Sequence, residues 1–173
     1  MDDRGAGTGA RLRAARDEAG LSLSEVARRA GIGKGTVSEL ERGLRPARLE
    51  TLWALSTALG VPLGRLVGED GGAAEGASVR VRLVDRWRSD ALVELYRGTI
   101  GPELQLSPAH APGVTEVLTV LSGRLEAGPD GALQTAGAGS SLTFDGSLPH
   151  TYRALETPCE ALVVIRYGTP PTP

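Results

Sequence analysis

The sequence predicts a two-part α + β protein, with an all-α bundle over residues 1–67 and an all-β half over residues 79–173, joined by a linker at 68–78. Three observations predict it. Before the linker, apolar residues fall at helical intervals: Leu12 and Ala15 with Ala19, Val26 with Ala30, Val37 with Leu40, and Leu52 with Leu55 and Leu59. After it they alternate, at Val79, Val81 and Leu83, at Leu104 and Leu106, and at Val163 and Ile165, a period that antiparallel strands require. Between the halves, GEDGGAAEGAS is small, polar and Gly-rich, a composition expected to be flexible.

The helices can be bounded from their capping chemistry. A first helix is expected over 9–19, closed by Gly20. In Ser22-Leu23-Ser24-Glu25, the Ser22 hydroxyl can accept from the Glu25 N–H while the Glu25 carboxylate reaches back to the Ser22 N–H, a capping box that opens a second helix to Ala30. Gly31 closes it, and a third helix over 34–42 ends at Gly43. A fourth is expected over 48–59, stopped by Gly60, and Pro62 suits the first turn of a short fifth.

A tight Gly-containing turn between the second and third helices makes a helix-turn-helix. The stretch from Arg11 to Leu63, with Arg16, Glu25-Val26-Ala27, Gly31, Val37-Ser38, Glu41-Arg42-Gly43, Pro46 and Leu59-Gly60-Val61, resembles the lambda-repressor-like (XRE-type) DNA-binding domain. The resemblance implies that the third helix enters the major groove and the second lies over the phosphate backbone. Carried over by position, Ser22, Leu23, Lys34, Gly35, Thr36, Ser38 and Glu39 face DNA, with Arg42 near the backbone. Leu23 stands where the family often has Gln, which removes one polar contact. The residues themselves agree: short hydroxyls and one cation on a helix face reach base edges and phosphates, while Val37 and Leu40 hold the other face to the core.

In the second half, the tract from His110 through Glu116 and Gly123 to Glu126 resembles the first motif of the cupin superfamily. The tract from Gly139 through Pro149-His150 to Ala154 resembles the second. The resemblance implies a double-stranded β-helix (jelly-roll) barrel. Both histidines of the protein fall in these tracts, with Glu116 near one of them. Two imidazoles and a carboxylate are the ligand set of a facial triad for Fe(II), and suit Mn, Ni, Cu or Zn as well. Ala111-Pro112-Gly113 is expected to turn the chain so that His110 and Glu116, on adjacent strands, point into one barrel that His150 enters from a facing strand. Pro112 replaces the motif's second histidine and Ala154 its final Asn, so four family ligands become at most three. The residues leave open a metal site at His110, Glu116 and His150 or a metal-free pocket. Either would be lined by these three with Phe144, Tyr152 and Arg124 and would take a small organic effector.

The remaining candidates read as structure. Trp53 and Trp87 are expected to pack, and Asp85, Arg86 and Arg88 to form a solvated strand edge. The single cysteine, Cys159 in CEALVVI, excludes an internal disulfide and a thiolate cluster and is expected to be buried and inert. With 173 residues, 40% hydrophobic and 23% charged, the chain has the composition of a folded globular protein. It shows no signal-like N-terminal apolar run and no membrane-length segment, so a cytoplasmic protein is expected.

Charge divides with the halves. The net −2 of the chain splits into +3 over residues 1–67 and −5 over 68–173. A net of +3 is small for a nucleic-acid binder, so a homodimer reading two half-sites is expected, with the second half as dimeriser and sensor. The expected function is therefore a sequence-specific DNA-binding transcriptional regulator controlled by a small-molecule effector, with no catalytic residues. The alternative is a mononuclear non-haem iron cupin oxygenase resembling hydroxypropylphosphonate epoxidase, which the same domain order suggests.

Overall fold

The computed structural model describes residues 7–68, 72–156 and 158–168. The N-terminal residues 1–6 and the centre of the expected linker, 69–71, lie outside the described residues. Among the described residues five helices come first: α1 (Thr8–Glu18), α2 (Leu23–Ala30), α3 (Lys34–Glu41), α4 (Leu49–Leu59) and α5 (Leu63–Val67). Gly20, Gly31, Gly43 and Gly60 adopt φ near +65°, the left-handed conformation that stops a helix at no side-chain cost. At Ser22 the hydroxyl accepts from the Glu25 N–H at 3.1 Å. The other half of the expected box gives way, because the Glu25 carboxylate turns forward to Arg28 and Arg29 at 2.6 and 2.8 Å.

Within the bundle, Gly9 lets α1 cross the end of α3, since a Cβ there would strike the Leu40 and Glu41 carbonyls. Arg16 locks the same crossing through a two-pronged pair with Glu41 at 2.6 and 3.0 Å.

Ten strands follow among the described residues: β1 (Ala73–Glu75), β2 (Val79–Arg88), β3 (Leu92–Ile100), β4 (Gln105–Ser107), β5 (Thr115–Ser122), β6 (Arg124–Pro129), β7 (Gln134–Gly137), β8 (Ser141–Asp145), β9 (His150–Ala154) and β10 (Cys159–Tyr167). They form a six-stranded sheet, β1-β2-β3-β10-β5-β8, facing a four-stranded sheet, β4-β9-β6-β7. All pairings are antiparallel. Inward residues of both sheets make the core, as in a jelly roll.

Four expectations change. Residues 72–78 are not a free tether: β1 pairs with Arg80–Arg82 of β2, Ala74 is buried, and the Leu83 N–H donates to the Gly72 carbonyl. Small residues suit this edge strand as well as they suit a linker. On β4 the faces are reversed, so Leu104 and Leu106 are exposed while Gln105 and Ser107 are buried. Gln105 turns in because its side chain accepts from the Ser78 N–H and donates to Glu50 of α4. Trp87 is 43% exposed, because the register shifts between Leu83 and Asp85 and β1 covers only the first part of β2. Arg86, on the same segment, is only half exposed and leans toward Glu94 at 4.0 Å, while Asp85 and Arg88 face solvent.

The apolar core runs without interruption from Leu12 through Leu55, Leu63 and Leu66 into Val81, Tyr96 and Ile165, so the helical half docks on the end of the barrel. A buried polar latch fixes the docking. The Glu94 carboxylate accepts from the Gly64 N–H at 3.0 Å, from the Tyr96 hydroxyl at 2.7 Å and from the Tyr167 hydroxyl at 2.8 Å. Tyr167 in turn accepts from the Leu63 N–H at 3.0 Å. Position 64 requires glycine, because a Cβ would collide with the Glu94 carboxylate.

Candidate functional site

On the head, α3 carries two faces. Val37 and Leu40 are buried, whereas Lys34, Gly35 and Glu39 are exposed and Thr36 and Ser38 half-exposed. Nothing approaches the Gly35 Cα side, so the face is open for a partner to come close to the backbone. Arg42 stands exposed at the end of the helix, Glu39 pairs loosely with Arg45 at 3.5 Å, and Ser22 is exposed at the head of α2. Leu23 departs from the expected contact set: its half-buried side chain packs against the core.

In the barrel, five of the six pocket residues expected from the sequence come together. Glu116 points in from β5, His150 and Tyr152 from β9, and Phe144 from β8, all buried. His110 reaches the same point from the loop between β4 and β5, not from a strand. Its backbone N–H donates to the Gly146 carbonyl at 2.9 Å, and the turn from Ala111 to Val114, with Gly113 at φ +80°, feeds the chain into β5. Arg124 is exposed and takes no part, because the alternation of β6 turns Leu125 inward instead.

The polar atoms are closely set. Glu116 Oε1 lies 2.7 Å from His110 Nε2 and 3.2 Å from His150 Nε2. The Tyr152 hydroxyl donates to Glu116 Oε2 at 2.6 Å and stands 2.7 Å from His150 Nε2. His150 Nδ1 donates to the Leu148 carbonyl at 2.7 Å, which orients the ring with Nε2 toward the cluster. Phe144 packs its ring 5.0 Å from that of His150.

Burial alone would push the Glu116 carboxyl up, but its contacts with the two imidazoles outweigh this and hold it well below the ordinary carboxylate range. His110 is lowered, because burial wins over the pull of Glu116. His150 is raised: burial opposes its charge, but Glu116 and the Leu148 carbonyl together prevail. The cluster therefore sets one carboxylate between two imidazoles whose contacts favour its charged form.

The geometry at His110 bears on metal binding. His110 Nε2 and Glu116 Oε1 are fully buried and only 2.7 Å apart, yet they are not aligned as a hydrogen bond and neither has another aligned partner. A shared cation would satisfy both atoms. The three residues offer ligand atoms within 4.8 Å of one another, a set of two nitrogens and one oxygen that fits a divalent first-row metal.

Trp53, which the sequence presents only as a packing residue, belongs to this site. Its indole stacks on the His110 ring with centroids 3.5 Å apart and planes at 21°. Together with Leu49 and Leu63 it roofs the barrel pocket. A signal was present in α4, where Leu49 and Trp53 add a second apolar stripe to Leu52, Leu55 and Leu59; a helix apolar on two faces has two things to cover. Cys159 is fully buried, and burial pushes its thiol up, as its apolar sequence suggested.

The chain matches two families, helix-turn-helix (HTH_3) over residues 12–66 and the cupin domain (Cupin_2) over residues 96–165. The HTH-type transcriptional regulator SutR of Escherichia coli (strain K12) is 26% identical over 149 residues, which cover 82% of this chain and 84% of SutR. The crystal structure of an HTH_3 family transcriptional regulator from Vibrio cholerae superposes with a TM-score of 0.84 at 22% identity, covering 94% of this chain and 96% of that one. Hydroxypropylphosphonic acid epoxidase from S. wedmorenis covers 93% of this chain and 97% of its own at 18% identity, with a TM-score of only 0.42. That likeness is too distant to assign chemistry. Among the described residues no helix is long and apolar enough to cross a membrane.

Proposed function

The protein belongs to the helix-turn-helix transcription regulators that carry a C-terminal cupin domain, and from this premise we infer that its barrel senses a small molecule and adjusts DNA binding by the head. The observation that carries the reading is the buried cluster of His110, Glu116, His150 and Tyr152 beside a pocket that Glu116 and Tyr152 line and a helix of the DNA-binding domain roofs. The head occupies residues 1–67, and the sensor takes residues 79–173 together with β1, which pairs with β2. Ser22, Lys34, Gly35, Thr36, Ser38 and Glu39 present the reading face to DNA, with Arg42 at the phosphates.

Two copies act together in the cytoplasm. One head with net +3 neutralises few phosphates, and a dimer doubles both its charge and its contacts. His110, Glu116 and His150 would hold a divalent metal, which supplies a Lewis-acid position with sites left for a donor atom of the effector. Without it, the same atoms hydrogen-bond the effector directly. The regulator reading is also favoured over an oxygenase acting on a phosphonate. Such a substrate needs cationic side chains, and among the described residues no lysine or arginine lines the pocket.

Electrophoretic mobility shift against the DNA flanking the protein's own gene tests this reading. Retardation is expected at one or a few fragments. Lys34→Ala is expected to weaken binding at every site alike and to flatten the dependence of log K on log salt by about 0.9 for each phosphate that the side chain no longer neutralises. Absence of retardation at any fragment in low salt would overturn the reading.

A further inference from the structure

The roof of the barrel pocket belongs to the other domain, and it fills the pocket almost completely. Leu49, Trp53 and Leu63 line the space opposite Glu116 and Tyr152, and the indole of Trp53 lies flat on the His110 ring with only 6% of Trp53 exposed. The open volume that remains is about 30 Å³. That admits roughly one water molecule, whereas sites for small organic molecules enclose about 300–1,000 Å³. An organic effector therefore cannot be added to this arrangement. It must take the place of the indole.

We propose that Trp53 is a built-in plug seated where the effector binds: the effector is a flat aromatic ring of about indole size bearing an N–H or O–H group, and its entry lifts α4 from the barrel. The proposal rests on the reading of the barrel as a small-molecule sensor. The ring class follows from the seat, which already holds a flat ring stacked on an imidazole at 3.5 Å. The donor group follows from the floor, where Glu116 Oε1 is buried without an aligned hydrogen-bond donor and no lysine or arginine among the described residues lines the pocket to receive an anion.

The consequence for DNA binding follows from the other contacts of α4. Leu52, Leu55 and Leu59 bind the same helix into the head, and Glu50 ties it to the barrel by accepting from the Ala77 N–H at 3.1 Å and from Gln105. Displacing Trp53 thus moves the scaffold beneath α2 and α3. Because effector and indole compete for one seat, the effector has the differential affinity for two head positions that a population shift requires.

The test uses the full chain without DNA and indole as the probe. Calorimetric titration is expected to show indole binding Trp53→Ala at least tenfold more tightly than the wild-type chain, since the variant leaves the seat empty. Trp53→Leu, which keeps apolar packing against the head, provides the same comparison if the alanine variant does not fold by circular dichroism. In the wild-type chain, saturating indole is expected to accelerate amide hydrogen exchange at Leu63 and Gly64, whose N–H groups reach across to Tyr167 and Glu94. A folded variant that binds indole no better than wild type would overturn the proposal, as would wild-type binding that leaves those two amides unchanged. Neither readout involves DNA, so a failure of the plug is distinguishable from a failure of the regulator reading, which the mobility shift alone decides.

Discussion

Replacing Glu94 by alanine is expected to lower the melting temperature by roughly 10 °C. The carboxylate is fully buried and accepts from the Gly64 N–H and from the hydroxyls of Tyr96 and Tyr167. Truncation leaves all three donors without this acceptor, those of Gly64 and Tyr96 buried and that of Tyr167 half-buried. At about 1–3 kcal/mol for each unsatisfied group, partial relaxation still leaves a loss of about 4 kcal/mol, and in a chain of this size 1 kcal/mol shifts the midpoint by roughly 2–4 °C. Glu94→Gln keeps the volume and one acceptor oxygen and should lose about half as much. The α5 amides should lose protection from hydrogen exchange in both variants, because the latch ties that helix to the barrel. A melting temperature within about 2 °C of wild type for Glu94→Ala would mean that the head is held by apolar contact alone.

The second large effect is expected at Glu116. In Glu116→Ala the Tyr152 hydroxyl loses its acceptor, His150 loses its carboxylate partner, and a void opens beside two buried imidazoles. Removing one partner from a buried charged cluster costs about 3–5 kcal/mol, which chemical denaturation will read directly. The wild-type chain is expected to take up one divalent ion in equilibrium dialysis against Mn(II) or Zn(II), with affinity falling by about 100-fold or more in the variant, beyond what loss of a supporting group produces. Glu116→Gln separates the two roles: it preserves volume, so a variant that stays folded and still loses the ion assigns the loss to the charge. Equal metal uptake by all three chains would remove Glu116 from the ligand set.

These two carboxylates mark where the sequence is legible and where it is not. Glu116 can be found because its neighbours in the motif carry the signal: a histidine six residues before it, a glycine seven after, and Pro-His in the second tract. Glu94 sits in Val-Glu-Leu-Tyr with the look of any charged residue on a strand. Its role depends on Gly64, thirty positions away, and no local pattern reports that an amide will arrive there. The helix ends are legible for the opposite reason, since a glycine with positive φ and a serine cap act within one turn of chain. The strand that replaces part of the expected linker is hidden by composition. In Ala73–Glu75 the backbone does the pairing, and an edge strand with one small buried side chain resembles a tether. At β4 the alternation is real but its phase is not readable, because three residues give no majority face and a Gln105 contact with Glu50 decides which side turns in.

Trp53 is the most instructive case. That it packs is legible in the sequence; what it packs against is not, because the cover comes from the other domain. Docking of the two halves brings α4 of the helical half within stacking distance of His110, and the barrel pocket is completed by the domain that the proposed function has it control.

The central claim, a DNA-reading head governed from the barrel, is tested most directly by capturing sheared genomic DNA of the encoding organism on the full chain and sequencing what is retained. A small set of enriched fragments is expected, sharing a two-fold symmetric site with half-site centres about 34–36 Å apart. That enrichment is expected to vanish in a Thr36→Ala, Ser38→Ala double variant that melts like the wild type. Uniform coverage of the genome, or the same enrichment from the double variant, would contradict the claim.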